Sequence, residues 1–383
     1  MKKIPVAILI LAPIFVFSSC ATTVMPGLDK QMRSLTIAAV GDISHSVGYS
    51  YSEQSFQLGR NKYAHVRHII SEADLSFANL EAPFTMNEPV IQKRFPFSSP
   101  PQELDHVCWS GFNLFSLANN HTADAGYAGV KDTMVHLERL EREYRGKKQL
   151  IWAGAGRSAA EARRMKVFTH PGFSRRIVFM AYGNNSSQYV NTFEIERAAR
   201  EIESARRRYP DAIILVSVHY GTEYVHVPPP DIIVMYRRLV ESGASIVFGH
   251  HPHVVQGIEE YRDGLIFYSL GNFAFTSMTN RHKAAGAYLY GMIAGLNLQP
   301  AGDHFRVTMT VIPLYVDNSY PMTVSGQTLQ PRSFQPFVPD PPFSTKILAS
   351  IADWSHQIPG NDIIFEFGDG YMRSRFNTAL GTR

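Results

Sequence analysis

Cysteine is nearly missing from this chain, with two in 383 residues, Cys20 and Cys108. A disulfide framework is therefore excluded as the source of stability, and so is a metal site built on paired thiolates. Charge is also scarce. Asp, Glu, Lys and Arg make up 18% of the residues, and the formal net charge is only +4. The one basic cluster, Arg206-Arg207-Arg208, falls in a helical pattern and reads as a solvated face. No basic stretch interleaved with aromatics is present, so no nucleic-acid partner is expected. What the chain has instead is apolar mass: 45% hydrophobic residues, enough for a large core. Cys108, beside Trp109, reads as a buried structural thiol.

The N-terminus is distinctive. Met1-Lys2-Lys3 is followed by the uncharged apolar run Ile4–Phe17 and then by Phe17-Ser18-Ser19-Cys20. A basic start, an apolar centre and small residues before the break form a secretory signal. The run contains Pro5 and Pro13 and falls short of the roughly 20 residues a spanning helix needs. The ending resembles a bacterial lipobox, with Phe17 where leucine is usual, and implies cleavage before Cys20 and lipid on its thiol. The alternatives are an ordinary signal peptide with an incidental cysteine, or an uncleaved anchor. The expected organisation is a signal peptide over 1–19, a tether over 20–33, one domain over 34–317 and a C-terminal extension over 318–383. The expected location is the cell envelope, extracytoplasmic and anchored to membrane through Cys20.

From Ser34 onward, apolar runs alternate with helical patterns. Strands are expected at 35–42, 75–81, 112–121, 149–156, 176–183, 211–221, 244–251 and 264–273, and helices at 63–73, 127–142, 195–209 and 231–242. Continuous apolar runs mean strands covered on both faces, and their alternation with helices means an α/β fold. After residue 286 the texture changes. Two runs, 288–298 and 305–316, pattern as an antiparallel pair, and a helix is expected near 345–357.

Polar residues gather where the apolar runs stop: Asp42; Asn79 with Glu81; Asn119-Asn120-His121; His219; His250-His251-Pro252-His253; and Asn272. In open α/β sheets, ligands bind beyond the carboxyl ends of strands. Carboxylate, amide oxygen and imidazole suit divalent ions such as zinc, manganese and iron. A set of this size can fill two adjacent metal sites, which together activate water and steady a leaving oxygen. A histidine outside the ligand set can serve as general acid. In the stretch 250–253, Pro252 predicts an extended His251, so that His251 and His253 share one face and His250 points elsewhere as a support. His65, His68, His106, His136, His170, His304 and His356 read as ordinary hydrogen-bonded histidines, with His45 and His226 left open.

The ordered set VGD, NLEAPF, SLANNHTADAG, VSVHYGTEY, GHHPHVVQGIE and FYSLGNF, spread over about 35–280, closely resembles the bacterial CapA family of capsule or poly-γ-glutamate synthesis proteins. That family looks like a divergent branch of the calcineurin-like metallophosphoesterases. The resemblance implies a four-layer αββα sandwich with a two-metal site between two sheets. It implies Asp42, Glu81, Asn120, His219, His251 and His253 as metal ligands and His121 as acid or transition-state stabiliser. Asn79, Asn119, His250 and Asn272 are supporting residues. The wider phosphoesterases begin with Asp-x-His, whereas here His45 comes one residue late. No basic residue follows Asp42 closely, and Arg94, Arg281 and Lys283 are the cations considered in its place. The expected partner is an anionic polymer or a small phosphate, ester or amide substrate, with a membrane synthase complex as a further possibility. The competing readings are a non-enzymatic accessory protein that binds such a polymer or supports a synthase, and a general metal-dependent phosphoesterase unrelated to capsule.

Overall fold

The computed structural model describes residues 34–47, 52–276, 284, 290–301, 304–316, 322–324, 327–329 and 335–378. The signal peptide, Cys20 and tether expected from the sequence lie outside the described residues, as do Arg281 and Lys283. Among the described residues no helix is long and apolar enough to cross a membrane.

Two sheets form the centre. In the first, β1 (Leu35–Ser44), β2 (Leu75–Leu80), β3 (Leu114–Ser116) and β4 (Ile151–Ala153) lie side by side and parallel. The second contains β5 (Lys166–Thr169), β6 (Arg176–Gly183), β7 (Ile213–His219), β8 (Ile246–His250), β9 (Ile258–Tyr261) and β10 (Gly264–Phe267), in the order β5-β6-β7-β8-β10-β9. Then β11 (Asn272–Phe275) returns to the first sheet and pairs parallel with the end of β1. On the same edge of β1, opposite β2, come β12 (Tyr290–Ala301) and then β13 (His304–Tyr315), antiparallel. A separate two-stranded hairpin is made by β14 (Met322–Val324) and β15 (Gln327–Leu329). Finally β16 (Glu366–Gly368) and β17 (Tyr371–Thr378) extend the edge of the first sheet beyond β13.

The helices are α1 (Ser52–Leu58), α2 (Arg67–Glu72), α3 (Pro101–Trp109), α4 (Gly126–Tyr144), α5 (Ala159–Ala162), α6 (Ile195–Arg208), α7 (Pro230–Glu241) and α8 (Pro341–His356). Side-chain alternation shows how the layers stack. On β7, Ile213 and Leu215 join the core shared with the first sheet, while Ile214, Val216 and Val218 pack with α6 and α7. The same parity holds on β6, β8 and β10: Phe179, Phe248 and Phe267 face the first sheet, and Met180, Val247 and Ile266 face the helices. A strand alternates its side chains between two faces, so continuous apolar sequence is what a doubly covered strand requires. Between the sheets, Phe77 stacks on Phe248 at 4.7 Å and meets Phe179 edge-on at 6.0 Å. On the outer face of the first sheet, Leu104 and Val107 of α3 and Val130, Met134 and Leu137 of α4 complete the core. The architecture is thus the αββα sandwich expected.

Two readings need correction. The run 264–273 is not one strand. It divides into β10 and β11, which belong to different sheets, because Gly271 takes a positive φ of 72° and turns the chain from one to the other. Arg206 is not solvated. Its guanidinium is buried and donates to the carbonyls of Gly243, Pro210 and Ala212, tying the end of α6 to its neighbours, while Arg207 and Arg208 are exposed. Cys108 is buried, and burial pushes its thiol pKa up, so it is inert. The C-terminal segment is built onto the domain: β17 pairs with β13, and α8 touches both β13 and β9.

Candidate metal centre

The carboxyl ends of strands from both sheets converge. Asp42 sits where the register of β1 slips against β2 and again against β11. Such an irregularity bends the strand and re-aims a side chain. Gly41 is needed beside it, since a Cβ there would lie 1.7 Å from the carbonyl oxygen of Gly271. Asp42 Oδ1 accepts from Asn79 Nδ2 at 2.8 Å and lies 3.0 Å from His250 Nδ1. Asp42 Oδ2 has no hydrogen-bond partner and lies 3.8 Å from His253 Nδ1.

Glu81 follows β2, and its backbone N–H donates to Ile43 at 2.8 Å. Its carboxylate is fully buried, and neither oxygen has a hydrogen-bond partner. Three imidazole Nε2 atoms surround Oε1: His219 at 3.5 Å, His121 at 3.8 Å and His253 at 3.9 Å. His219 ends β7, with Nε2 2.8 Å from Asn120 Oδ1 and 3.2 Å from His251 Nδ1. Asn272 ends the circuit. Its Oδ1 accepts from His253 Nδ1 at 3.0 Å, which leaves the Nε2 lone pair of His253 toward Glu81. Asn119 holds the turn that presents Asn120 and His121, donating to Leu80 at 2.8 Å and accepting from the His121 N–H at 3.1 Å.

The histidine loop differs from the extended segment expected. His251 and His253 have positive φ angles of 95° and 59°. Non-glycine residues held there cost about 1–3 kcal/mol each and persist only where the surroundings over-determine them. His250 does not point away, because its ring reaches Asp42. All three imidazoles therefore face the cluster. His45 is elsewhere, buried with Nε2 2.7 Å from the Tyr63 hydroxyl. His226 is also outside, donating from Nδ1 to Val255 O at 2.9 Å.

The electrostatics follow from burial and crowding. Burial pushes the Glu81 pKa well up, and the charge of Asp42 adds to this. Burial opposes ionisation of Asp42 too. Its hydrogen-bond contact with His250, with His219 and His253 also nearby, nevertheless holds it well below the usual carboxylate range. Burial lowers His219 strongly, and lowers His251 and His121 to about 4 each. Neutral imidazoles beside carboxylates whose oxygens lack partners form a donor set for a cation. Asp42, Glu81 and His219 each offer a ligand atom within 4.8 Å of the others. The residues fit a metal: without one, a buried carboxylate with no hydrogen bond is costly.

Sequence reasoning missed Lys93 and Asp124. Asp124 Oδ2 lies 2.8 Å from His121 Nδ1 and accepts the Phe97 N–H at 2.7 Å. Lys93 Nζ reaches Asp124 Oδ1 at 2.6 Å, His121 Nδ1 at 2.8 Å and the Asn120 carbonyl at 3.0 Å. Asp124 Oδ1 and the Asn120 carbonyl accept from the ammonium, while His121 Nδ1, facing both Lys93 Nζ and Asp124 Oδ2, accepts from the one or donates to the other according to its tautomer. Arg94, the neighbour considered from the sequence, is exposed and lies over Phe95. The Asp124 signal was its spacing three residues after His121. Lys93 had none, since nothing in its loop fixes which side chain turns inward.

Residues 36–277, more than half of the chain, match the family described as bacterial capsule synthesis protein PGA_cap. The chain belongs to that family. The PGA_cap match runs from β1 to the residue after Thr276 and so takes in every residue of the cluster. Among its relatives is the capsule biosynthesis protein CapA of Bacillus anthracis, 26% identical over 361 residues, covering 88% of this chain and 83% of the relative. Another is the PGA biosynthesis protein CapA of Bacillus subtilis, 27% identical over 311 residues, covering 78% and 76%. A third is a Mycobacterium tuberculosis protein named probable polyglutamine synthesis accessory protein, 27% identical over 224 residues, covering 52% of this chain and 55% of the relative.

Proposed function

We propose that this PGA_cap protein is an extracytoplasmic lipoprotein, anchored through Cys20. In this reading it carries a two-metal hydrolase-type centre and acts in the synthesis or processing of capsule or poly-γ-glutamate. The observation that carries the reading is Glu81: a fully buried carboxylate with no hydrogen-bond partner, set between two groups of ligand-type side chains. Asp42 and His253 lie on one side and Asn120 and His251 on the other, with His219 within reach of both sides. Glu81 lies close to both and, with Asp42 and His219, would supply ligand atoms to the ions. The names of the two Bacillus relatives support the polymer role.

A bound pair of divalent ions supplies Lewis acidity, which makes a water nucleophilic near neutral pH and steadies charge on the leaving oxygen or nitrogen. The chain's own residues do the rest. Asn272 fixes the His253 ring, and Asn79 and His250 fix Asp42. His121, outside both ligand groups, stacks on Phe97 at 3.8 Å and turns Nε2 toward Glu81. In the neutral tautomer that carries its proton on Nε2, it would hand that proton to the leaving group, with Lys93 donating to Nδ1 and Asp124 holding Lys93. The scissile bond in this reading is a phosphate, ester or amide bond of an anionic envelope polymer.

A second reading, a non-enzymatic accessory protein that binds the polymer or supports a membrane synthase, is favoured by the name of the mycobacterial relative. Elemental analysis of the purified protein beside an Asp42→Ala/His251→Ala variant separates the two. The expected outcome is about two transition-metal ions per chain (Mn, Zn or Fe), lost in the variant. Turnover of phosphate, ester or γ-glutamyl compounds by the metal-loaded protein alone then favours the hydrolase. Absence of metal under several supplementation conditions sinks the hydrolase reading and leaves the accessory role.

A further inference from the structure

We infer that helix α8, which lies outside the family-matched stretch, is a positioning element for the histidine loop, and that Trp354 is the residue through which it acts. The inference rests on reading that loop as part of a metal centre.

His251 and His253 hold positive φ angles, so something must fix the backbone on either side of them. On one flank, the 221–228 loop does so. The Tyr224 N–H donates to Pro252 O at 2.9 Å, and Gln256 Nε2 donates to Val225 O at 2.8 Å. The other flank is held by α8 and the turn after it. The Trp354 ring lies flat on the His226 ring, 3.9 Å between centroids and 11° between planes. Through Nδ1, His226 in turn donates to Val255 O, two residues past His253. Immediately afterwards the chain presses against the helix. A Cβ on Gly257 would lie 2.9 Å from Trp354 O and 3.0 Å from Ser355 Cα. Ser355 Oγ accepts the Ile258 N–H at 2.9 Å, and Asn361 Nδ2 donates to both Ile258 O and Ser355 O at 2.8 Å.

Every backbone position from Val255 to Ile258 is thus paired, packed or next to a residue tied to α8 or to the loop α8 holds down. The contacts described run from the helix to His226 and to the loop at Gly257 and Ile258. The effect of the helix on the centre passes through His226 and the loop backbone, which makes Trp354 a positioning residue. Ordinary packing of a terminal helix predicts a loss of stability on truncation of Trp354 and no change at the metal. Positioning predicts a change at the metal in a protein that remains folded.

The test uses the full chain, Co2+ alone as probe, and a temperature well below the unfolding midpoint of every variant. Trp354→Ala is expected to weaken Co2+ binding by about tenfold or more, the effect typical of lost outer support, and to alter the visible Co2+ spectrum. Trp354→Phe, which keeps a ring on His226, is expected to recover most of both. If Trp354→Ala does not fold, Gly257→Ala pushes the loop from the helix with Trp354 intact and is expected to show the same two changes. Unchanged affinity and spectrum in a folded variant overturn the inference. If the wild-type chain takes up no Co2+, the metal reading is what fails. Amide exchange over residues 254–258 then decides the inference: faster exchange in Trp354→Ala keeps the positioning role, and equal rates overturn it.

Discussion

Two buried polar clusters grow from the same end of β1, and they are satisfied in opposite ways. Asp42 opens the metal-type cluster, in which Asp42 Oδ2 and both Glu81 oxygens lack hydrogen bonds. Three residues later, His45 opens another, with Tyr63, Lys62 and Glu103. There the fully buried Lys62 ammonium is bonded to Glu103, and His45 is bonded to Tyr63. Burial and the charge of Lys62 bring the His45 pKa down to about 3, so it is neutral in the folded protein. Histidines and carboxylates are present in both. What separates a ligand site from a structural network is the remainder after internal hydrogen bonds are made. The second cluster pairs its charges within itself, whereas the first leaves acceptors facing one another, an arrangement suited to a cation.

That contrast can be broken from either side. The largest effect is expected at Lys62. Lys62→Met leaves Glu103 buried without its cation and is expected to destabilise the fold by about 3–5 kcal/mol, read from urea unfolding, with metal content per folded chain unchanged. Loss of metal in that variant would mean that the two clusters are one unit. Next comes a pH effect. Burial opposes ionisation of Glu103, but nearby His106 and Lys62 hold its pKa down at about 2. A carboxylate depressed in the folded state stabilises it above the unfolded pKa of about 4.3, and that stability is lost as pH falls toward the folded value. Wild type should therefore lose on the order of 3 kcal/mol between pH 5 and pH 2 that Glu103→Gln does not lose. Parallel pH profiles would remove the ion pair from the account. The smallest stability effect is expected at Glu81. Without metal, burial already favours the neutral carboxyl, and Glu81→Gln keeps a neutral group of the same shape, so the midpoint in chelator should hold, while metal affinity falls about 100-fold, roughly 2.7 kcal/mol. A clear fall in the chelator midpoint would show that Glu81 is a structural group like Glu103.

Much of this was legible in sequence, and the reasons are specific. Strands such as Ile213–His219 are apolar on both faces because both faces are covered, and the polar residue that ends each one sits where the layer opens. Their convergence could be expected because parallel strands end on one side of a sheet. The conformation of 250–253 was not legible. Pro252 favours an extended His251, yet tertiary contacts hold that residue at φ 95°. Nor was the inward turn of Lys93, or the division of 264–273 between two sheets. Each of these depends on contacts made far along the chain, which no local pattern encodes.

The place of β1 has a further consequence, for the order in which the molecule is made. This strand is among the first parts of the domain to be synthesised, yet Asp42 pairs with Asn272, and Leu35 pairs with Leu298. Asn272 belongs to the last few residues of the family-matched stretch, and Leu298 lies beyond its end. β2 can cover one edge of this central strand early, but the other edge must wait until most of the domain has been translated. Pairings of such long sequence separation fold slowly and leave aggregation-prone edges open in the interval. Whatever keeps the nascent chain from pairing with another copy of itself during that delay decides how much of the protein ever brings Asp42 and Asn272 together.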